Sequence, residues 1–363
     1  MIYLDYNASV PLRPCAKKAM METYYFDGNP SSPHAAGRKV RALIDEARKS
    51  LIRGIHGQRM VFTSGGTEAN ALALSGLGEV PLVVSSIEHE SVLKAQAYPC
   101  IAPVTSAGIL DLRYLEKLLS SFDAPGLLSL MLINNETGVI QPLQDAVMIA
   151  RRLGWKVHTD ASQALGHIPL SFEELGVDMM TLSSHKCGGP MGVGALVLKE
   201  ELQLLPLIRG GGQEFGMRSG TLAAPLIVGF AAAALEALSE CEEQTKRLRG
   251  LQKKVEEDLP MAQVYGKESP RTAHVLCLGM PGVSSELQLM SFDLKGIAIS
   301  IGSACSSGKT KESQVLKAMG LSSEDVKCAI RMSMGWKTSQ QDIDNFIKAW
   351  NEIFLSQQMK EAS

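Results

Sequence analysis

Several short segments of this chain hold residue types that could share one reaction. The first is Met180-Thr-Leu-Ser-Ser-His-Lys-Cys-Gly-Gly-Pro190. An apolar stretch that reads as a strand runs into Ser183, Ser184, His185 and Lys186. A turn rich in glycine (Gly188, Gly189, Gly192, Gly194) follows. A lysine behind two hydroxyls and a histidine could form an imine with an aldehyde cofactor, its neighbours donating to a phosphate. Most lysines are ordinary surface residues, so Lys186 needs companions before it carries more than that.

Phe62-Thr-Ser-Gly-Gly-Thr-Glu-Ala-Asn70 leaves a strand and opens a helix. Gly65 and Gly66 allow close backbone approach, and Thr67 can cap the helix and offer its hydroxyl. The free N–H groups at a helix start favour a phosphate. A plain strand-to-helix turn would carry the same residues. His158-Thr-Asp160-Ala-Ser-Gln163 ends another strand. Asp160 could pair with a protonated pyridine nitrogen and keep the ring an electron sink, or it could cap a helix. Gln163 could hydrogen-bond a phenolic oxygen on the same ring. With Lys186, these are groups that pyridoxal 5'-phosphate needs.

Asn134-Asn135-Glu136-Thr137-Gly138 follows an apolar run, either as a turn or to aim an amide at a ligand. His89, in Ile87-Glu-His-Glu-Ser91, could stack on a ring or move protons near neutral pH, although a solitary histidine is more often structural. Arg209-Gly-Gly-Gly-Gln213 and Met217-Arg-Ser-Gly-Thr221 form a glycine-dense loop. Such backbone is costly to order and usually serves a ligand or a partner subunit. Cys305 stands in Ile301-Gly-Ser-Ala-Cys-Ser-Ser-Gly308, small residues that suit an accessible nucleophile better than a buried thiol. Arg331 breaks an apolar strand and could clamp a carboxylate or merely close a salt bridge.

The elements that must position these groups show in the apolar pattern. Strand-like runs at 60–63, 82–85, 127–133, 156–159, 179–183 and 195–198 alternate with helical patterns at 68–75, 112–120, 142–153 and 172–175. That alternation predicts an α/β fold, a mostly parallel sheet flanked by helices, with ligands at the carboxyl ends of the strands. A long helical stretch over 227–259 then reads as a connector stopped by Pro260. Beyond it, strands at 273–278, 298–301 and 329–334 and helices at 284–294, 313–319 and 340–354 predict a smaller α+β domain. The division expected is 13–250 for the large domain, with 1–12 and 251–363 for the small one that carries the cysteine loop.

With 363 residues, 45% of them hydrophobic, the chain can bury a sizeable core. A formal net charge of -2 offers no bulk attraction to nucleic acid or an anionic membrane. The start lacks a basic segment followed by an apolar one, and the apolar run 225–235 is too short to span a bilayer. A soluble chain in the cytoplasm is expected. Seven cysteines, none spaced as Cys-x-x-Cys, argue against a disulfide framework and a zinc site.

Taken in order, these segments resemble the cysteine desulfurases of the NifS/IscS type, pyridoxal-phosphate enzymes of fold-type I in the class V aminotransferase family. The resemblance runs from Tyr3-Leu-Asp-Tyr-Asn-Ala8 through Gly28-Asn-Pro-Ser-Ser-Pro-His34 and Thr63–Asn70. It continues through Glu88-His89, Asn134–Gly138, Asp160–Gln163, Ser183–Lys186, Arg218–Thr221 and Ser303-Ala-Cys305 to Ile330-Arg331. It implies a large domain with a seven-stranded, mostly parallel sheet and a smaller α+β domain. It implies that Lys186 anchors the cofactor aldehyde and moves the substrate Cα proton, that Asp160 meets the pyridine nitrogen and Gln163 the phenolic oxygen. His89 would stack on the ring and act as acid and base. Gly66, Thr67, Ser183 and His185 would hold the phosphate, with Thr221 reaching the phosphate of the other subunit of a homodimer. Asn135 would touch cofactor and substrate, and with Arg331 would hold the substrate carboxylate. Cys305 would take sulfur from L-cysteine as a persulfide, releasing L-alanine, and pass it to an acceptor such as an iron–sulfur scaffold or a tRNA-thiolation carrier. A selenocysteine lyase or a small-substrate aminotransferase of the same superfamily is the alternative; an aminotransferase has no need of a loop thiol. Asn7–Val10, Cys187-Gly188, Gln314, Trp336-Lys337 and the short end at Ser363 depart from the usual pattern. The last of these leaves the sulfur acceptor open.

Overall fold

The structure is a computed structural model and describes residues 1–95, 99–302 and 312–361. Cys305 lies outside the described residues. Twelve strands are described, in three sheets. In chain order they are β1 (Ile2–Tyr3), β2 (Arg59–Thr63), β3 (Leu82–Ser85), β4 (Cys100–Ala102), β5 (Leu127–Ser129) and β6 (Lys156–Asp160). Then come β7 (Met179–Ser183), β8 (Gly194–Leu198), β9 (Gln263–Val264), β10 (Val275–Gly279), β11 (Ile297–Ala298) and β12 (Ala329–Ser333).

Seven of them form one sheet in the order β2-β8-β7-β6-β5-β3-β4. Strands β4, β3, β5, β6 and β7 run parallel, and β8 lies antiparallel between β7 and β2. The period of two along each strand feeds two cores. Met60, Phe62, Val83, Leu128, Val157 and Met180 belong to one apolar cluster. Their neighbours Val61, Leu82, Val84, Leu127 and Met179 belong to another. A sheet buried on both faces explains why these strands read as continuous Val/Leu/Met runs. The run 127–133 stays regular only to Ser129, yet Leu130 and Leu132 still donate to the carbonyls of His158 and Asp160, each at 3.0 Å.

Helices Pro14–Thr23 and Ala35–Gly54 pack against the long helix Ala224–Asp258. That helix is long and apolar enough, by length and composition, to cross a membrane, and half of its apolar window is buried within the fold. Its charged second half sends Leu248, Leu251 and Val255 into a third cluster. This cluster joins β10, β12, helix Ser285–Leu294 and helix Gln340–Glu361. Here β12, β10 and β9 pair antiparallel. The chain start joins the same region, because β1 pairs parallel with β11 and Asp5 bridges to Ser333.

Trp350 is the largest fully buried side chain of this third cluster and stacks on Phe354 at 5.1 Å. Its indole N–H has no hydrogen-bond partner among the described residues. Trp350→Ala should therefore cost about 3–5 kcal/mol in urea unfolding, mostly as cavity. Trp350→Phe should cost far less, since no hydrogen bond is lost. Equal losses for the two variants would refute this account of the packing.

Candidate active site

The parallel strands bring their carboxyl ends to one edge of the sheet, where a cavity of about 230 Å³ opens. Gly66, Thr67, His89, Asn135, Asp160, Gln163, Ser183, His185, Lys186 and Arg331 all line it. Thr221 does not; it is exposed at the end of the glycine-dense loop. Helix Gly66–Ser75 begins at the end of β2 with Gly65 as its cap residue. Thr67 is thus inside the first turn rather than at the cap, and its hydroxyl is left for the cavity. A Cβ on Gly66 would sit 3.1 Å from Ser162 Oγ and 3.4 Å from Ser183 Cβ, so the first turn packs closely on these two serines. Glu68 of that turn accepts from Ser64 N at 2.8 Å and pairs with Arg218 at 2.9 Å. Burial works to raise its carboxyl, but Arg218 and Ser64 outweigh it and hold the group below the usual range. The glycine-dense loop is tied to the cradle through this pair.

Asp160 ends β6 and is buried. No helix follows, so it caps none. Its Oδ1 accepts from Ser162 N at 2.9 Å and its Oδ2 from Asn70 Nδ2 at 2.7 Å. His158, two residues earlier, is wholly buried between Ser129 Oγ at 2.9 Å and Thr181 Oγ1 at 3.0 Å. Burial drives it down to about 4 against the pull of Asp160, so it is neutral at physiological pH. Gln163 Nε2 donates to Asn7 O at 3.3 Å.

Lys186 lies in a single 3₁₀ turn, Ser184–Lys186, directly after β7. Its Nζ donates to the carbonyls of Asn7 and Ala8. His185 beside it is driven down to about 4 by burial and then by Lys186, and its Nδ1 is buried with no partner among the described residues. The two asparagines after β5 divide the roles left open by the sequence. Asn134 makes the turn, its Oδ1 accepting from Glu136 N and Thr137 N at 2.9 Å each. Asn135 lines the cavity. Arg331 is 2% exposed on β12. Its Nη2 pairs with Asp5 at 2.9 Å and its Nη1 donates to Asn135 O at 3.2 Å. Its Nε has no partner among the described residues, so the salt bridge leaves donor capacity beside the cavity.

Asn7, Ala8, Asn70, Met131, Ile133, Ser91 and Ser162 also line the cavity and were given no role from the sequence. Asn70 follows Thr67 by three residues on one helix, the spacing that shares a face, and Ser91 follows His89 by two.

The donor set of the cavity matches the groups of pyridoxal phosphate. An unpartnered buried imidazole nitrogen, two hydroxyls and the N–H groups of a helix start suit a phosphate. A buried carboxylate fixed by two N–H donors suits a protonated ring nitrogen. The residues fit the group. Among the described residues no cluster of three or more His, Cys, Asp or Glu could hold a metal ion.

The model of the family "Aminotransferase class-V" matches residues 2–346. The chain belongs to this family. Among class-V relatives, "Cysteine desulfurase IscS" of Rickettsia bellii is 37% identical over 96% of this chain and 89% of its own length. An "IscS-like cysteine desulfurase" of Mycobacterium tuberculosis is 35% identical over 95% of this chain and 94% of its own. A solved NifS-like protein from Rickettsia africae superposes with a TM-score of 0.92 at 32% identity, covering 98% of this chain and 99% of that one. The solved SspA in complex with cysteine gives a TM-score of 0.80 at 27% identity, over 92% of this chain and 99% of the other.

Beside the cavity residue His89 in the chain, Glu88 is a buried carboxyl. Glu88 Oε1 accepts from Ser85 Oγ at 2.6 Å and Met131 N at 2.8 Å, while Oε2 is buried without a partner among the described residues. Burial pushes it up from 4.5 to about 8, against Ser85 and Met131 and with help from Asp160. The stability this group contributes is whole below its unfolded value and is lost as pH climbs through the folded one. Glu88→Gln stays neutral and has no such loss. Its urea stability should overtake that of the wild type between about pH 5 and 8, by roughly 3–5 kcal/mol at most. Parallel curves for the two proteins across that range would rule out a neutral Glu88.

Proposed function

We propose that this chain is a pyridoxal-phosphate-dependent cysteine desulfurase that removes sulfur from L-cysteine. The observation that carries the reading is one cavity that gathers Lys186, Asp160, His89 and Arg331 at the carboxyl ends of a parallel sheet. The relatives named for this activity, which match nearly the whole chain, support it.

Gly66, Thr67, Ser183 and His185 would hold the phosphate, Asp160 the ring nitrogen and Gln163 the phenolic oxygen, while Lys186 would anchor the aldehyde. When bound, the cofactor supplies an electron sink that makes the substrate Cα acidic and its sulfur open to attack. Lys186, held against the Asn7 and Ala8 carbonyls, is the amine for the Cα proton. Arg331 and Asn135 receive the substrate carboxylate. His89 supplies an imidazole to the same space. Cys305 takes the sulfur: an S–S bond forms as the substrate Cβ–S bond breaks, and the carbon skeleton leaves as L-alanine once protonated. The persulfide then passes to an acceptor protein, such as an iron–sulfur scaffold.

We read the seven-stranded half as the cofactor domain and the β10–β12 half, with the first dozen residues, as the smaller one. A homodimer is part of the same reading. Thr221 is exposed beyond the cavity, and the nearby Phe215 is 54% exposed in a left-handed conformation. Glu214 anchors that loop through a bidentate pair with Arg48, at 2.6 and 2.8 Å. Such a fixed, outward loop suits delivery of Thr221 to the partner's phosphate.

Protein loaded with pyridoxal phosphate should absorb in the visible and convert L-cysteine to alanine and sulfide in the presence of a thiol reductant. Cys305→Ala should abolish sulfide release and keep the colour. Lys186→Ala should lose the visible band on dialysis. A protein that gains no visible band from the cofactor would refute the cofactor assignment, and sulfide release by Cys305→Ala would refute the nucleophile.

A further inference from the structure

A hydrogen-bonded chain joins two of the cavity residues through two others that have no assigned role. Asn70 Nδ2 donates to Asp160 Oδ2 at 2.7 Å and to Ser91 Oγ at 2.9 Å. Ser91 Oγ lies 2.8 Å from His89 Nδ1, and the Ser91 backbone N–H points at the same nitrogen from 3.1 Å. Asn70 is 1% exposed, and all four residues line the cavity.

The direction of each hydrogen follows from the ends of the chain. A carboxylate only accepts, so Asn70 must turn its NH₂ toward Asp160. The second hydrogen of that NH₂ goes to Ser91 Oγ. Having accepted there, the Ser91 hydroxyl has its own hydrogen to give, and the nearest acceptor is His89 Nδ1. The Ser91 amide can only donate, and it too is aimed at Nδ1. His89 Nδ1 is therefore committed as a lone pair, and a neutral imidazole with that commitment carries its proton on Nε2.

We propose that Asn70 and Ser91 are positioning residues that lock His89 in the Nε2–H tautomer, so that it serves the cavity as a neutral hydrogen-bond donor rather than as a base. The proposal rests on the desulfurase reading for its consequence, which is that Lys186 alone takes up protons while His89 steadies developing negative charge. A neutral histidine used as an electrophile has precedent in enzymes that must polarise an oxygen without a cation. The tautomer itself is a property of this chain and does not depend on the reaction.

The test uses the full-length holoenzyme labelled with ¹⁵N-histidine. Multiple-bond ¹H–¹⁵N spectra distinguish the two tautomers, and a His89→Gln spectrum identifies the signal. The wild type should show His89 as Nε2–H alone. Ser91→Ala removes the hydroxyl at 2.8 Å and leaves Nδ1 only the longer backbone N–H at 3.1 Å, so the Nδ1–H tautomer should gain measurable population. The variant's kcat should fall by a factor of about three to ten, the loss of one hydrogen bond, with KM for L-cysteine and the visible band unchanged. Ser91→Thr restores the hydroxyl and should restore both readouts. A wild-type His89 protonated on Nδ1, or an unchanged tautomer and kcat in Ser91→Ala, would overturn the proposal. A protein that proved to lack desulfurase turnover would still report its tautomer, so the two claims fail separately.

Discussion

A sheet buried on both faces gives a polar side chain two fates, and this fold is organised by the difference between them. Inside the sheet a polar group must be satisfied by its neighbours on adjacent strands; at the carboxyl edge it can face a ligand. Strand β6 shows both within three residues. His158 is enclosed by Ser129 of β5 and Thr181 of β7 and is kept neutral. Asp160 emerges at the edge with both oxygens already fixed by N–H donors. The same boundary separates the apolar body of β7 from Lys186, and β5 from Asn135. Chemistry is confined to the edge because the interior has no room for an unsatisfied charge.

Across that edge, Arg331 joins the two halves of the chain. Buried cations need partners, and this one takes Asp5 from the N-terminal segment and the Asn135 carbonyl from the large-sheet side. Asn7 adds a second tie, from its Nδ2 to the same Asn135 carbonyl at 3.0 Å, and its own carbonyl receives Lys186 and Gln163. The first residues of the chain thus act as mortar between lysine, glutamine and arginine. The part played by the Asn7 and Ala8 carbonyls cannot be read from Tyr3–Ala8 alone, because a backbone acceptor leaves no mark in side-chain type.

Much of the architecture was legible because a doubly covered parallel sheet writes its strands as apolar runs: 82–85 and 179–183 appear in the structure with those bounds. The two-residue strands β1 and β9 were illegible as units, being too short for any period to show, and the run read as a strand over 298–301 pairs as β11 only at Ile297–Ala298. Helices Pro14–Thr23 and Ala35–Gly54 lie before the alternating region; the first is a single face packed on the long helix, with little pattern of its own. In the site, residues with reactive or ionic side chains were found from type and context. Asn70 and Ser91 were not, because their part depends on which neighbour each hydrogen reaches. Thr67 looked like a cap since it follows two glycines, yet the cap stands two residues sooner, at Gly65.

The order of strands carries a consequence for biosynthesis. Strand β2, whose end forms the glycine cradle, touches the rest of the large sheet only through β8. The fit there is close, since a Cβ on Gly194 of β8 would meet Gly65 at 2.6 Å. A nascent chain that has emerged through β7 therefore displays Lys186 and Asp160 on a sheet that still lacks its cradle. Only when residues 194–198 slide between β7 and β2, closing a loop of more than a hundred residues, does the anion-binding end join the rest. The last strand of this sheet to be synthesised is thus the one that brings the glycine turn up to Lys186.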